Sequence, residues 1–248
     1  MKITFLTLFI LSQLLIGRDF AYPLSEGQRS NGVFQPKIYG LKNEFEISTH
    51  PILFLIKPNV KVKKYLGENY GMGMAVRTSL DYPTPLLKLL QRKKIGGMLA
   101  DDPAVGKVPF LLLLSCEILA TKKLGDKHFT GKVGLSLCPG CELDERHIID
   151  LPLAYPRMAV YHSGIGTNFG VDYDFSINEK LKLKTDLDLL IIPNKTLFTE
   201  HKLLVTYPLS EKYNLSAGYK FVNGVYPFSQ GDSRWDFYPL FDLSWQWE

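Results

Sequence analysis

Long apolar runs are scarce in this chain. Beyond the first twenty or so residues none exceeds a stretch such as Phe110–Leu114, far short of the roughly 20 residues that a membrane-spanning helix needs. No later segment is a convincing spanning helix, which leaves an uncleaved N-terminal anchor as the helical alternative to a signal peptide. No poly-charge block, Gln/Asn tract or Ser/Gly linker interrupts the 248 residues, so nothing divides the chain into separate domains. Nor does charge of one sign accumulate. The 29 Lys and Arg are dispersed among 25 Asp and Glu, which excludes the concentrated basic face of a nucleic-acid binder. Cysteine is limited to three residues and none lies near the N-terminus, which argues against a lipid-anchored product.

What is present begins with export. Met1-Lys2 gives a positive start, and Ile3 to Gly17 is an almost unbroken apolar run. That length suits a secretory h-region rather than a spanning helix. The expected organisation is a signal peptide over 1–21, cut after Gly17 or Ala21, a short N-terminal segment over 22–32, and one domain over 33–248.

Through that domain a period of two dominates. In Gly164–Phe175, Ile165, Thr167, Phe169, Val171, Tyr173 and Phe175 share one face, and Gly166, Asn168, Gly170, Asp172 and Asp174 share the other. In Leu181–Ile191, alternating leucines oppose Lys182, Lys184, Asp186 and Asp188. Side chains alternate across a strand, so both segments are two-faced strands, and the polar link 176–180 joins them as a hairpin. The same pattern marks Gly71–Leu80, Phe129–Leu137 and Leu215–Phe221. Weaker versions fall at Phe34–Ile47, Ile52–Lys63, Val108–Thr121, Thr199–Leu209 and Trp235–Trp247. This gives about ten strands, with eight to twelve admissible, most near the roughly 9–11 residues that a tilted strand needs to cross a bilayer.

Alternation alone also describes a soluble sandwich. Further features favour a membrane barrel. Short links (64–69, 122–127, 176–180, 210–212) alternate with long ones (81–107, 139–157, 223–234), with a short exception near Pro193. Aromatic residues such as Tyr65, Tyr70, Phe129, Tyr207 and Tyr213 gather at strand ends, where barrels carry interfacial girdles. The polar face mixes glycine with both charge signs, so Asp172, Asp174, Lys182, Lys184, Asp186 and Asp188 are candidates for ion pairs inside a narrow lumen, Lys202 being a further partner. The chain also ends within an alternating segment in which Phe241, Leu243, Trp245 and Trp247 share a face, followed by Glu248.

This terminal pattern resembles the closing strand of bacterial outer-membrane β-barrel proteins, whose insertion machinery reads such an end. The resemblance implies a single all-β domain, an antiparallel transmembrane β-barrel in the bacterial outer membrane. Its partners are then outer-membrane lipid and, during assembly, the insertion machinery. It names no subfamily, ligand or cofactor.

Chemistry is sparsely signposted. Cys138-Pro139-Gly140-Cys141 follows a strand and opens a loop, without the βαβ setting of a thioredoxin-like motif. Pro-Gly suits a type II turn, and an oxidising compartment favours a local disulfide. Free thiols, redox chemistry and a metal site completed by Glu142 and His147 are the alternatives. Cys116 reads as a small hydrophobe on an apolar strand face. His162 and Ser163 are adjacent, His147 and Asp150 lie near the same loop, and Ser229 or Ser233 approach from another, without the spacing of a nucleophile–base–orienter set. In the longest loop, Leu86, Leu87, Leu89 and Leu90 share one side of a short helix, with Lys88 and Arg92 opposite. It lies on the membrane surface or caps the barrel mouth. So short a helix is marginal without packing, which favours the cap. The expectation is a non-enzymatic barrel, structural or surface-binding through its long loops, or a narrow conduit. An outer-membrane lipid hydrolase and a soluble periplasmic binding barrel are the alternatives.

Overall fold

In the computed structural model, which describes residues 19–91, 106–141, 143, 155–178, 180–193, 197–226 and 232–247, antiparallel strands close into a barrel. They are β1 (Arg29–Gly32), β2 (Lys37–Gly40), β3 (Phe45–Thr49), β4 (Asn59–Asn69), β5 (Met72–Asp81) and β6 (Leu113–Leu124). The second half is β7 (Lys127–Leu137), β8 (Ile165–Ser176), β9 (Lys182–Ile191), β10 (Leu197–Pro208), β11 (Tyr213–Val225) and β12 (Ser233–Trp247). Each strand pairs with its chain neighbour, and β12 closes onto β1 with Trp247 opposite Arg29. The even count brings the start of β1 and the end of β12 to one end of the barrel. The tight links lie there too, including the Tyr70–Gly71 turn, whose positive φ values of 51° and 69° match the type I′ hairpin. This is the turn end. The longer links gather at the opposite, loop end.

The count is twelve strands rather than about ten. The segment 34–47 contains a reversal at Leu41–Glu44, where Asn43 and Glu44 take positive φ, so β2 and the start of β3 are separate strands. Arg29–Gly32, expected in the segment ahead of the barrel, is part of the wall, which begins at 29 rather than 33. Strands of four or five residues are too short for a period of two to stand out. The segment expected to be a strand from Ile52 opens instead with α1 (Pro51–Phe54), and β4 runs on to Asn69.

From β4 onward the wall has a continuous apolar exterior. Leu114, Ile118, Val133, Leu135, Phe169, Val171, Leu187, Leu189, Leu215, Phe241 and Leu243 all point outward and are exposed. Cys116 shares that outer face. Phe129, Tyr173, Phe175, Tyr207 and Tyr213 lie towards the turn end of their strands. Phe221, Trp235 and Phe237 lie towards the loop end of β11 and β12. Trp245 and Trp247 also face outward, on the turn-end stretch of β12.

Both ends of the barrel are filled. Residues 19–24 run inside the wall at the turn end. The Ala21 N–H donates to Thr121 Oγ1 (2.9 Å), the Leu24 N–H to Glu46 Oε2 (3.0 Å), and Lys63 Nζ to the Phe20 carbonyl (3.1 Å). The Tyr22 ring lies over Gly73, where a Cβ would come within 2.7 Å of it. At the loop end, α2 (Thr84–Leu90) and α4 (Val160–Ser163), with α3 (Tyr155–Met158) leading into the latter, contribute to an apolar cap. Leu86, Leu87 and Leu90 pack there with Val160, Tyr161 and inward residues at the strand tops such as Leu190, Phe198 and Tyr226. The leucine face of the long loop is thus turned into the molecule, while Arg92 lies outside the described residues.

His50 fixes the link after β3. Its Nε2 donates to the Phe34 carbonyl (2.9 Å), and its Nδ1 accepts the Leu53 N–H (3.4 Å) at the start of α1. A protonated ring would set one N–H against another. Burial, assisted by Lys61 and opposed by the bond to Phe34, lowers the pKa below 6.5. Because the folded pKa is depressed, the unfolded chain binds more protons, and this contribution to stability is complete above pH 6.5 and lost as pH falls below it. Limited proteolysis between pH 8 and pH 5 should show the 50–58 link becoming more susceptible as pH drops, and His50→Asn should flatten that dependence.

Candidate functional site

The interior between the two plugs is strongly charged, and the strand register explains how it is held. One hydrogen-bonded row runs Glu46, Lys63, Arg77, Glu117, Gly134, Asn168, Leu190 across β3 to β9. A second runs Thr121, Thr130, Asp172, Asp186, Lys202, Lys220 across β6 to β11. A third runs Lys132, Gly170, Asp188, Glu200 across β7 to β10. Within these rows like charges stand side by side: Asp172 beside Asp186, Lys202 beside Lys220, Asp188 beside Glu200. Such pairs are unfavourable alone. Bonds between rows reverse that.

Lys132 reaches across Gly170, where a side chain would collide with it, and meets Asp188 (2.9 Å), Asp172 (3.1 Å) and Asp186 (3.4 Å). Lys202 pairs with Asp186 within its own row (2.7 Å), and Lys220 crosses to Glu200 in the next (2.8 Å). From α3, Arg157 inserts against Glu200 (2.6 Å) and Asp188 (3.4 Å). The N-terminal segment takes part as well. Asp19 accepts from Arg77 (2.6 Å), whose Nε donates to Glu117 (2.7 Å), and lies 3.8 Å from Lys184. Lys63 pairs with Glu46 (2.8 Å), and Lys57 with Asp81 (3.1 Å).

Of the residues singled out in the sequence, Asp172, Asp186 and Asp188 meet in this cluster, and Lys184 joins through Asp19. Asp174 stands across from Lys184 in the ladder, and Lys182 is exposed at the turn end, away from the others. Lys132, Lys220, Glu200, Arg157, Arg77 and Asp19 were not singled out. Lys132, Lys220, Glu200 and Arg77 sit at polar-face positions of alternating strands, which was the available signal. Asp19 and Arg157 come from outside the strands, and no periodicity marks them.

Three carboxylates, of Asp19, Asp172 and Asp186, converge within 4.8 Å of one another. Lys132 and Lys202 already stand against two of them, so ammonium groups supply the counter-charge that a metal ion would bring. Cys138 and Cys141 are joined as a disulfide inside the apolar cap, with Cα atoms 5.3 Å apart. His162 Nδ1 lies 2.6 Å from the Leu143 carbonyl, and the Ser163 hydroxyl donates to the Ile165 carbonyl (2.7 Å), so this adjacent pair is directed at backbone. Ser233 accepts from Asn223 Nδ2 (2.7 Å). Glu142, His147, Asp150, Ser229 and Glu248 lie outside the described residues.

Between the N-terminal plug and the cap lies a chamber made of two adjoining voids of about 200 and about 190 Å³. They share Lys57, Lys61, Arg77, Asp81, Glu117 and Arg157. One reaches Pro36, His50 and Leu53 in the loop-end links, and the other runs beneath Met158 and Tyr161 of the cap.

Lys132 is the hub of the cluster, so Lys132→Met should leave three buried carboxylates short of a counter-charge. Removing one partner of a buried pair typically costs about 3–5 kcal/mol. Urea unfolding of the barrel in lipid vesicles should show a loss of that order, and adding Asp186→Asn should recover part of it. An additive pair of losses would mean that the two residues are not coupled.

No protein-family model and no curated protein matches the chain by sequence. By structure it is similar to in-vitro folded OmpT, an outer membrane protein of Vibrio cholerae, at 9% identity and a TM-score of 0.43 over 86% of this chain. The loop L8 deletion mutant of that OmpT gives 10% identity and a TM-score of 0.44 over 86% of this chain. The chain spans only 63% and 62% of the length of those two proteins.

Proposed function

We propose that the protein is a bacterial outer-membrane barrel, closed to free diffusion, that serves at the cell surface as a structural or binding element through its capped loop end. The observation that carries this reading is the inversion of polarity. Charged side chains are packed inside the wall, and exposed aliphatic and aromatic residues cover the outside of β4 to β12. In water that outer surface would be a large apolar patch, whereas hydrocarbon is its natural solvent. Both termini of the wall and its short turns then face the periplasm, and the cap with its disulfide faces outward. The disulfide suits a protein exported into an oxidising compartment.

Closure rests on the two plugs. Asp19, Phe20, Ala21 and Tyr22 occupy the periplasmic part of the lumen, and the apolar cap covers the outer part. Of the two expected signal cuts, only the one after Gly17 retains Asp19 and Phe20. The mature protein is therefore expected to begin at Arg18.

Cell fractionation, with gel migration compared before and after boiling, tests the membrane assignment. Recovery in the outer membrane with heat-dependent migration is expected. A soluble periplasmic protein with unchanged migration would overturn the proposal. Closure is read separately in planar bilayers, where the wild type should show no steady open-pore conductance. Gly73→Leu, which drives a side chain into the Tyr22 ring, should raise it.

A further inference from the structure

The charges that line the chamber do not all cancel against each other. Asp81 is taken by Lys57, and Glu117 and Asp19 by Arg77. Asp186 and Asp188 are taken by Lys132, Lys202 and Arg157. Lys61 is left. It projects inward from β4, is solvent-accessible, and makes no ion pair among the described residues.

Its surroundings differ from those of the three charged rows described above. The row through Lys61 reads Ser48, Lys61, Ser79, Ser115, Ser136, Gly166 across β3 to β8. No carboxylate stands in it. Ser79, Ser115 and Ser136 line the same void as Lys61, and Ser48 lines the void adjoining it. Ser115 and Ser136 share one hydrogen bond (2.8 Å), which leaves one hydroxyl proton of that pair to give away. Two residues away along β4, the row through Lys63 and Arg77 shows how this lumen treats a cation that has an anion at hand. The carboxylate of Asp19, brought in by the N-terminal segment, lies against Arg77.

We infer that Lys61 and the serine row form a binding subsite for a small oxyanion, carboxylate or phosphate in chemistry, held by the Lys61 ammonium and serine hydroxyls. Charge-assisted hydrogen bonds from an ammonium are about twice as strong as neutral ones, and donors of fixed position add to them at small entropic cost. The adjoining voids are large enough for an anion of a few heavy atoms and leave no room for a long chain. The subsite depends on the lumen alone and goes beyond the membrane assignment, which is read by fractionation and migration.

The test is calorimetric titration of the folded protein, purified in a non-ionic detergent, with sodium succinate and with sodium phosphate at constant ionic strength. Saturable binding of either anion is expected, and which of them saturates identifies the carboxylate or the phosphate as the natural chemistry. Lys61→Met should weaken it at least about ten-fold, the loss expected for one charged hydrogen bond, whereas Lys61→Arg should retain most of it. Ser115→Ala should weaken it by a smaller factor. Heat-dependent migration of each variant verifies that it is folded. No saturable binding of either anion to the folded wild type would overturn the inference, as would binding unchanged in Lys61→Met.

Discussion

Neutralisation of charge across the rows of the wall is the constraint on which the interior depends. Antiparallel pairing fixes which inward side chains are neighbours, and here, beside in-row pairs such as Lys63 with Glu46 and Arg77 with Glu117, it also puts acids beside acids and bases beside bases. Such a wall is stable only when long side chains reach from one row to the next. Lysine and arginine have that reach, and aspartate does not, so the cations do the spanning and the short acids mark where they must arrive. Gly170 follows from the same requirement. It lies in the path of Lys132, and any side chain there would displace the hub that serves three carboxylates.

The shape of the wall explains why additional chain is needed inside it. The first three strands have only four or five residues each, against ten to fifteen in the others. A barrel with one low side cannot fill its lumen from the strands alone. Residues 19–24 and α3 supply what is missing, and both bring charge. Asp19 balances Arg77 and Lys184, and Arg157 balances Glu200 and Asp188. The plugs are thus tied to the wall by ion pairs and by backbone bonds such as Ala21 to Thr121, and shape complementarity is supplemented at both ends.

How much of this was legible in the sequence depended on element length. Among the strands of ten residues or more, β5, β7, β8, β9 and β11 showed their two faces plainly, and β4, β6, β10 and β12 more weakly. The assignment of Asp172, Asp186 and Asp188 to the interior and of Phe241, Leu243, Trp245 and Trp247 to the exterior follows from parity alone. The strands β1 to β3 were obscured because four residues hold two alternations at most, and Arg29–Gly32 has no apolar side chain to mark a face. Pairings within the lumen were beyond reach for a different reason. Lys202 and Asp186 are neighbours only once the register of β9 and β10 is known, and the partners of Asp188 come from β7 and from α3. Parity says which way a side chain points. It does not say what it meets.

The serine row sharpens that distinction. Read along the chain, Ser48, Ser79, Ser115 and Ser136 are unremarked polar positions on four different strands, separated by about twenty to thirty-six residues. Only lateral pairing aligns them, with Lys61 between the first two. In the three charged rows described above the wall or a plug provides a counter-ion, often by an arm that crosses to the next row. Beside Lys61 the nearest lateral neighbours are hydroxyls, which are too short to cross and carry no charge. A row that solvates a cation without neutralising it keeps that cation available, and this is where binding energy for an incoming anion is left unspent.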